Sequence, residues 1–387
     1  MVRTLLFASL ALLLAGCTPA PVEDSPAEVR GIWLTNVDSD VMMSRASIAE
    51  AMQFLAEHHF NVVYPVVWNK GYTLYPSAVM DSLFGLPIDP VHEGRDPLQE
   101  IIEEAHRHGL RVMPWFEFGF AASYQAGGGH LLAARPHWAA RDAAGRLLTK
   151  NGFEWMNAYH PEVQDFLLAL VKEVVQQYDI DGVQGDDRLP AQPVEGGYSA
   201  YTDSLYRAEH GGQPPPADPH DPAWKRWRAD RLNAFAERLY REVKALDPDV
   251  LVTWSPSIYP WAYDEYLQDW PAWLRGGYAD LVHPQVYRYE FDAYRRALLS
   301  QGADSLGLTP AQHAKVIPGV LMKVGDYRMT PTLLRQVVQF NRTLGYPGEV
   351  FFFYEGLRLN DDEVADSLRA SAYRTPARLP DFLLEPR

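Results

Sequence analysis

The chain has 387 residues, with 35 Lys and Arg against 50 Asp and Glu, for a formal net charge of -15. That balance argues against nucleic acid and anionic lipid surfaces as partners, since both present phosphate, and favours neutral or modestly charged ones. The single Cys excludes disulfides within the chain, so stability must come from an apolar core, and 47% hydrophobic residues are enough to build one.

At the amino terminus, Met1-Val-Arg3 precedes an apolar run from Leu5 to Ala15, the sequence Leu14-Ala-Gly-Cys17, and a Pro-, Ser- and acid-rich stretch through Glu28. The run is too short to cross a bilayer and has the form of a secretory signal. Cys17 stands where a bacterial lipoprotein signal carries its acylated residue. The expected organisation is a signal over residues 1–17, a flexible tether over 18–28, one elaborated domain over 29–375 and a tail over 376–387. The expected location is the bacterial cell envelope: an exported lipoprotein, anchored through Cys17 and facing the periplasm, with lipid as its only contact with membrane.

Eight short segments then read as strands: Arg30–Thr35, Phe60–Trp68, Leu110–Phe118, Asp181–Arg188, Val250–Ser255, Asp280–Tyr287, Lys315–Met322 and Glu349–Glu355. They are rich in Val, Ile and aromatics without polar alternation, as strands covered on both faces are. Helical spacing occupies the intervals. Ser44–His58 opens on a Ser cap, Asp96-Pro97 begins the next helix, and Pro161–Tyr178, Trp224–Leu246, Pro331–Leu344 and about Asp361–Ala372 follow. Eight such units predict an α/β fold of the (β/α)8 TIM barrel kind. About 370 residues after the signal exceed the ~250 usual for that fold. The excess falls after strands 2, 3 and 4, in loops near 69–95, 119–160 and 188–223, the last with Gly211-Gly-Gln-Pro-Pro-Pro216.

In such a barrel the carboxyl ends of the strands face the active site, and several end in acids. Strand 3 ends in Glu117, strand 4 in Asp186 and Asp187, and strand 8 in Glu355. Alternation puts Gln184 and Asp186 on one face and Asp187 on the other unless the chain turns there. Neighbouring acids in a cleft oppose each other's ionisation, so one stays protonated as a general acid while its partner is ionised; glycoside cleavage needs such a pair. Aromatic rings accept the C–H faces of sugars. Trp33, Trp68, Trp115, Trp254, Tyr259, Trp261 and Tyr287 are the candidate platforms, with Asn36, Ser257, Gln285 and Lys323 supplying polar contacts. Arg288 and Lys323 suit a carboxylate or an acidic substituent such as a lactyl group. No Gly-x-Ser-x-Gly elbow, phosphate loop or His-Glu-x-x-His is present, and neither a metal nor a cofactor is expected.

Six stretches together resemble the glycosyl hydrolase-like family 10 proteins, over roughly Glu28 to Ala372. They are Arg30-Gly-Ile-Trp-Leu-Thr-Asn36, Trp115-Phe-Glu-Phe-Gly119, Asp181-Gly-Val-Gln-Gly-Asp-Asp187, Ser255-Pro-Ser-Ile-Tyr-Pro-Trp261, Pro284-Gln-Val-Tyr-Arg288 and Phe352-Phe-Tyr-Glu-Gly356. The resemblance implies a TIM-barrel glycosidase and, through a characterised lipoprotein member, action on peptidoglycan glycan strands stripped of stem peptides. Glu117, Asp186, Asp187 and Glu355 are the positions it carries over. Gly185 departs from the larger apolar residue expected before the paired acids, which would widen the site beneath Asp186. Chitinase-type barrels place their acid two residues beyond Asp186, where this chain has Arg188, and that excludes their substrate-assisted mechanism in its usual form. The expected activity is hydrolysis of an amino-sugar polymer of the envelope, with Asp186 as nucleophile or base, Glu117 or Asp187 as general acid and Glu355 in support. The alternatives are a hydrolase of another polysaccharide and a sugar-binding or scaffolding lipoprotein without turnover.

Overall fold

The computed structural model describes residues 25–383; the signal, Cys17 and the tether up to residue 24 lie outside the described residues. Eight parallel strands form the centre. They are β1 (Val29–Leu34), β2 (Val62–Pro65), β3 (Arg111–Val112, resuming at Trp115–Phe116), β4 (Gly182–Asp186), β5 (Leu251–Ser255), β6 (Leu281–Val282), β7 (Gly319–Leu321) and β8 (Gly348–Phe352). One arc runs β7-β8-β1-β2-β3 and the other β3-β4-β5-β6, with Gln184 of β4 opposite Trp115 of β3. Backbone bonds close the ring between β6 and β7. Ile317 N–H donates to Val282 O at 2.9 Å, Gly319 N–H to Pro284 O at 2.9 Å and Val286 N–H to Gly319 O at 3.0 Å. The fold is therefore a TIM barrel.

Three strands are shorter than their apolar runs because proline interrupts the ladder. Pro114 splits β3, Pro284 follows β6 and Pro318 precedes β7, and none has an N–H to give a neighbour. Trp68, expected to end the second strand, instead joins Asn69 in a short antiparallel ladder against Tyr72–Thr73.

Outer helices start where the caps predict. Ser44 and Ser47 form a reciprocal capping box ahead of Arg45–Glu57, and Asp96 caps Pro97–Arg107. Pro161–Gln177, Pro331–Thr343 and Glu363–Ala370 continue the ring, with Phe291–Leu299 after β6. The long helix Pro222–Leu246 opens two residues before its expected start, since Asp221 accepts from Trp224 N–H at 2.9 Å with Pro222 in the first turn.

Insertions raise one side of the rim. A helix at Ala78–Phe84 follows β2, a three-stranded antiparallel sheet (Ala121–Tyr124, Phe153–Trp155, Thr149–Lys150) follows β3, and a helix at Ala200–Glu209 follows β4. Arg228, 0% exposed, ties the β4 insertion to the barrel by donating to the carbonyls of Val194, Gly196 and Pro219 at 2.5, 2.6 and 2.5 Å. Those carbonyls would otherwise be buried without a donor. Residues 26–28, expected as the end of the tether, are held in the fold: Arg378 N–H donates to Pro26 O at 3.0 Å and Glu28 N–H to Arg378 O at 2.9 Å. No described helix is long and apolar enough to cross a membrane.

Candidate active site

β4 delivers Asp186 into the barrel mouth, where its side chain is 2% exposed. Strand parity fixes its surroundings. Gln184, one step below on the same face, accepts from Trp33 Nε1 at 2.6 Å and donates to Thr253 Oγ1 at 3.2 Å. Asp186 Oδ1 accepts from Ser255 Oγ and Gln285 Nε2, both at 3.0 Å, and Oδ2 from Arg188 Nη2 at 2.8 Å. Gln268 Nε2 donates to the Asp186 carbonyl at 2.9 Å. Burial, reinforced by the charge of Asp187, raises the Asp186 carboxyl well above the usual range.

Arg188 gathers all three acids of strands 3 and 4. Its Nη2 also lies 3.4 Å from Glu117 Oε1, its Nη1 is 2.8 Å from Asp187 Oδ1, and its Nε donates to the Glu117 carbonyl at 3.0 Å. The guanidinium rests against the Phe153 and Phe118 rings, 4.6 and 5.7 Å from their centroids. Burial works against its charge, and the charges of Asp187, Asp186 and Glu117 outweigh it, so the Arg188 pKa rises. Gly119 makes this approach possible: with φ +48°, it passes the Arg188 carbonyl so closely that a Cβ would sit 2.2 Å from that oxygen. Glu117 also accepts from Asn69 Nδ2 at 2.5 Å. Burial pushes its carboxyl up, against the charge of Arg188 and the Asn69 bond.

Three carboxylates gathered on one guanidinium in a buried cluster oppose one another's ionisation, which favours keeping a proton within the cluster. Such a cluster holds a proton donor beside an ionised acceptor, the pairing that acid/base cleavage requires. Glu117 Oε1 and Asp186 Oδ2 share one nitrogen and so lie no more than about 6 Å apart, on the scale of paired glycosidase carboxylates. Access separates the three acids: the side chains of Glu117 and Asp187 are 14% and 22% exposed, against 2% for Asp186. Glu117 borders a cavity of about 340 Å³ between Lys70, Tyr124, Phe153, Val324 and Phe352.

The other sequence candidates divide by strand face. Tyr287 stacks on Phe352 at 5.2 Å, and its hydroxyl is raised by burial and then by the charges of Asp186, Asp187 and Glu117, so it faces the acids. Trp33 and Trp115 lie 6.2 Å apart in the barrel interior, 1% and 3% exposed. Trp68 packs on Phe166, and Trp254 on Trp273, both beneath the outer helices. Trp254 lies between two residues that face inward, Thr253 and Ser255, so parity turns it out. Lys323 Nζ is 3.5 Å from Asp38 and 5.0 Å from the Phe353 ring. Ser257 bridges Gln285 and accepts from Trp270 Nε1 through its carbonyl at 3.2 Å. Tyr259 is half-buried, its ring 6.3 Å from that of Trp270, and Trp261 is 46% exposed, 5.4 Å from Tyr266.

Glu355 is not among the gathered acids. It accepts from Ser39 Oγ and lines a separate cavity of about 660 Å³ with Asn36, Asp40, Glu50 and Arg358. Burial raises its carboxyl. Gly185 does not widen the site, contrary to expectation: a Cβ there would meet Trp254 Cε3 at 2.5 Å and Leu189 O at 2.6 Å, so the space is already filled. From the sequence, Arg188 served to exclude a mechanism and as a candidate anchor for Asp187, not as the common partner of three acids, and Asn69 and Gln268 were passed over. Asn69 carried the one available signal, an amide at the end of the strand adjoining that of Glu117.

Comparison with known proteins agrees with this geometry. Glycosyl hydrolase DigH of Escherichia coli K12 is 25% identical over 342 residues, covering 74% of this chain and 75% of that protein. Glycosyl hydrolase YngK of Bacillus subtilis is 24% identical over 399 residues, covering 92% and 74%. The glycoside hydrolase domain of PgaB (BpsB) from Bordetella bronchiseptica superimposes with TM-score 0.65 at 15% identity, covering 89% of this chain and 99% of that one. The catalytic domain of a Paenibacillus polymyxa β-amylase gives 0.62 at 9%, covering 90% and 99%. The model of the glycosyl hydrolase-like 10 family matches residues 28–306, the span that carries β1 to β6 and all three gathered acids. With its barrel closed and its acids at the strand ends, this chain belongs to the glycosyl hydrolase-like 10 family and is a glycoside hydrolase.

Proposed function

We propose that this enzyme is a lipid-anchored hydrolase of an envelope amino-sugar polymer, and that its substrate is peptidoglycan glycan freed of stem peptides. The observation that carries the chemistry is the gathering of Glu117, Asp186 and Asp187 on Arg188 at the mouth of the barrel. Glu117, whose carboxyl burial pushes above its ordinary value, is the general acid for the leaving oxygen. Asp187, 22% exposed, takes the role of nucleophile or base expected of Asp186, which is 2% exposed and held by Ser255, Gln285 and Arg188. The choice of polymer rests on the family resemblance and on the signal ending in Cys17, and the same signal supports an anchored position in the periplasm-facing envelope.

The test is mass spectrometry of soluble products after residues 18–387 are incubated with purified peptidoglycan, intact or stripped by an amidase, with chitin and starch beside it. Muro-oligosaccharides released only from stripped glycan are expected. Glu117→Gln and Asp187→Asn should lower that release by about 10²-fold or more while polymer binding persists. Binding without release by the unmodified protein would replace this reading with that of a sugar-binding scaffold.

A further inference from the structure

An aromatic pair on the rim belongs to no role assigned so far. Tyr289 is 60% exposed, and the Tyr327 ring stands edge-on to it at 4.7 Å. Tyr327 sits on a hairpin that pairs Lys323–Val324 with Tyr327–Arg328 directly after β7. Val324 of that hairpin is 43% exposed and forms part of the wall of the Glu117 cavity, so the pair continues the cleft outward. The Tyr327 hydroxyl is shielded from solvent and has no hydrogen-bond partner among the described residues, a deficit that a ligand hydroxyl or amide would relieve. On another part of the rim, Trp261 lies against Tyr266, whose hydroxyl is raised by burial and then by the charge of Asp187. The acids thus have aromatics beyond them on three loops, those after β5, β6 and β7.

We propose that Tyr289 and Tyr327 form a distal sugar subsite, where a ring of the glycan leaving the cleft stacks on Tyr289 while its polar edge bonds the Tyr327 hydroxyl. The inference rests on the glycosidase reading of the cleft and deepens it: the enzyme grips a polymer beyond the bond it cuts and cleaves within chains. An exposed aromatic with a hydroxyl tip suits a sugar, whose C–H face and hydroxyl rim match it. Continuity with the cavity through Val324 makes that sugar part of the substrate chain.

The experiment compares the unmodified protein with Tyr289→Ala and Tyr289→Phe on peptide-free peptidoglycan glycan and on a tetrasaccharide of the same glycan. The expected result is a rise of about fivefold to tenfold in KM for the polymer in Tyr289→Ala, with kcat and tetrasaccharide turnover unchanged and Tyr289→Phe close to the unmodified protein. An equal effect on both lengths, or none on either, overturns the subsite and leaves the hydrolase intact. Co-sedimentation with the same insoluble glycan gives a readout independent of turnover. If the unmodified protein releases nothing, weaker sedimentation of Tyr289→Ala still supports the subsite, and equal sedimentation overturns it.

Discussion

Replacing Arg188 with Met is the sharpest probe of the acid cluster. Methionine keeps the stem length and the contacts with the Phe118 and Phe153 rings, and removes the cation that Glu117, Asp186 and Asp187 share. The Arg188 side chain is 13% exposed, so its loss leaves buried carboxylates unpaired. Breaking a buried pair in this way costs about 3–5 kcal/mol when the acids are ionised. Proton uptake limits that cost. Asp186 and Glu117 already have folded-state values above those of the unfolded chain, and without Arg188 they rise further. Above the unfolded value of about 4, the native variant therefore holds more protons than its unfolded state, and its stability falls as pH rises. As pH falls, Asp186 and Glu117 take up protons and the loss shrinks toward that of the missing hydrogen bonds, about 1–2 kcal/mol. The assay is thermal and urea unfolding of both proteins at pH 5 and pH 8. A deficit of about 3–5 kcal/mol at pH 8 that narrows by about 2 kcal/mol at pH 5 is expected. A deficit of the same size at both pH values would refute the coupled cluster, because an uncharged packing defect does not titrate.

Four other outcomes follow from the same geometry. Asn69→Ala removes the donor that favours ionised Glu117, so the basic limb of the pH–rate profile should move to higher pH; an unmoved limb would dissociate Glu117 from proton donation. Glu355→Gln should retain most activity, because Glu355 lies in its own cavity beside Ser39, and a loss matching that of Glu117→Gln would put it back among the catalytic acids. Gly185→Ala should destabilise the fold by about 1–3 kcal/mol through overlap with Trp254 and Leu189, read by urea unfolding; a neutral effect would mean the space is open after all. Arg228→Met should lower stability by about 2–4 kcal/mol by stranding three carbonyls of the β4 insertion, and limited proteolysis should then cut within 188–223 first.

Much of the barrel was legible in the sequence, since its signals are local. Doubly covered strands read as unbroken apolar runs, and Ser44 and Asp96 mark helix starts beside the bonds they make. Proline shortened three strands, but it did not hide them. Asp186 as the inward acid followed from the period of two along β4, which places it above Gln184.

Tertiary structure decided what depends on distance between segments far apart in the chain. Arg188 and Glu117 are separated by 71 positions, and only barrel closure makes one guanidinium their common partner. Glu355 ends its strand with the same carboxylate as Glu117, yet the turn after β8 takes it to Ser39, 316 positions away, and out of the cluster. Trp254 reads in sequence like a sugar platform, whereas the inward bonds of its neighbours, Thr253 and Ser255, turn it toward Trp273 and against Gly185. Residue type and strand period thus determined which groups the barrel carries and the face on which Asp186 stands. Which groups meet, and which of them hold protons, was set by the closed ring, because burial and charge coupling exist only once the strands are brought together.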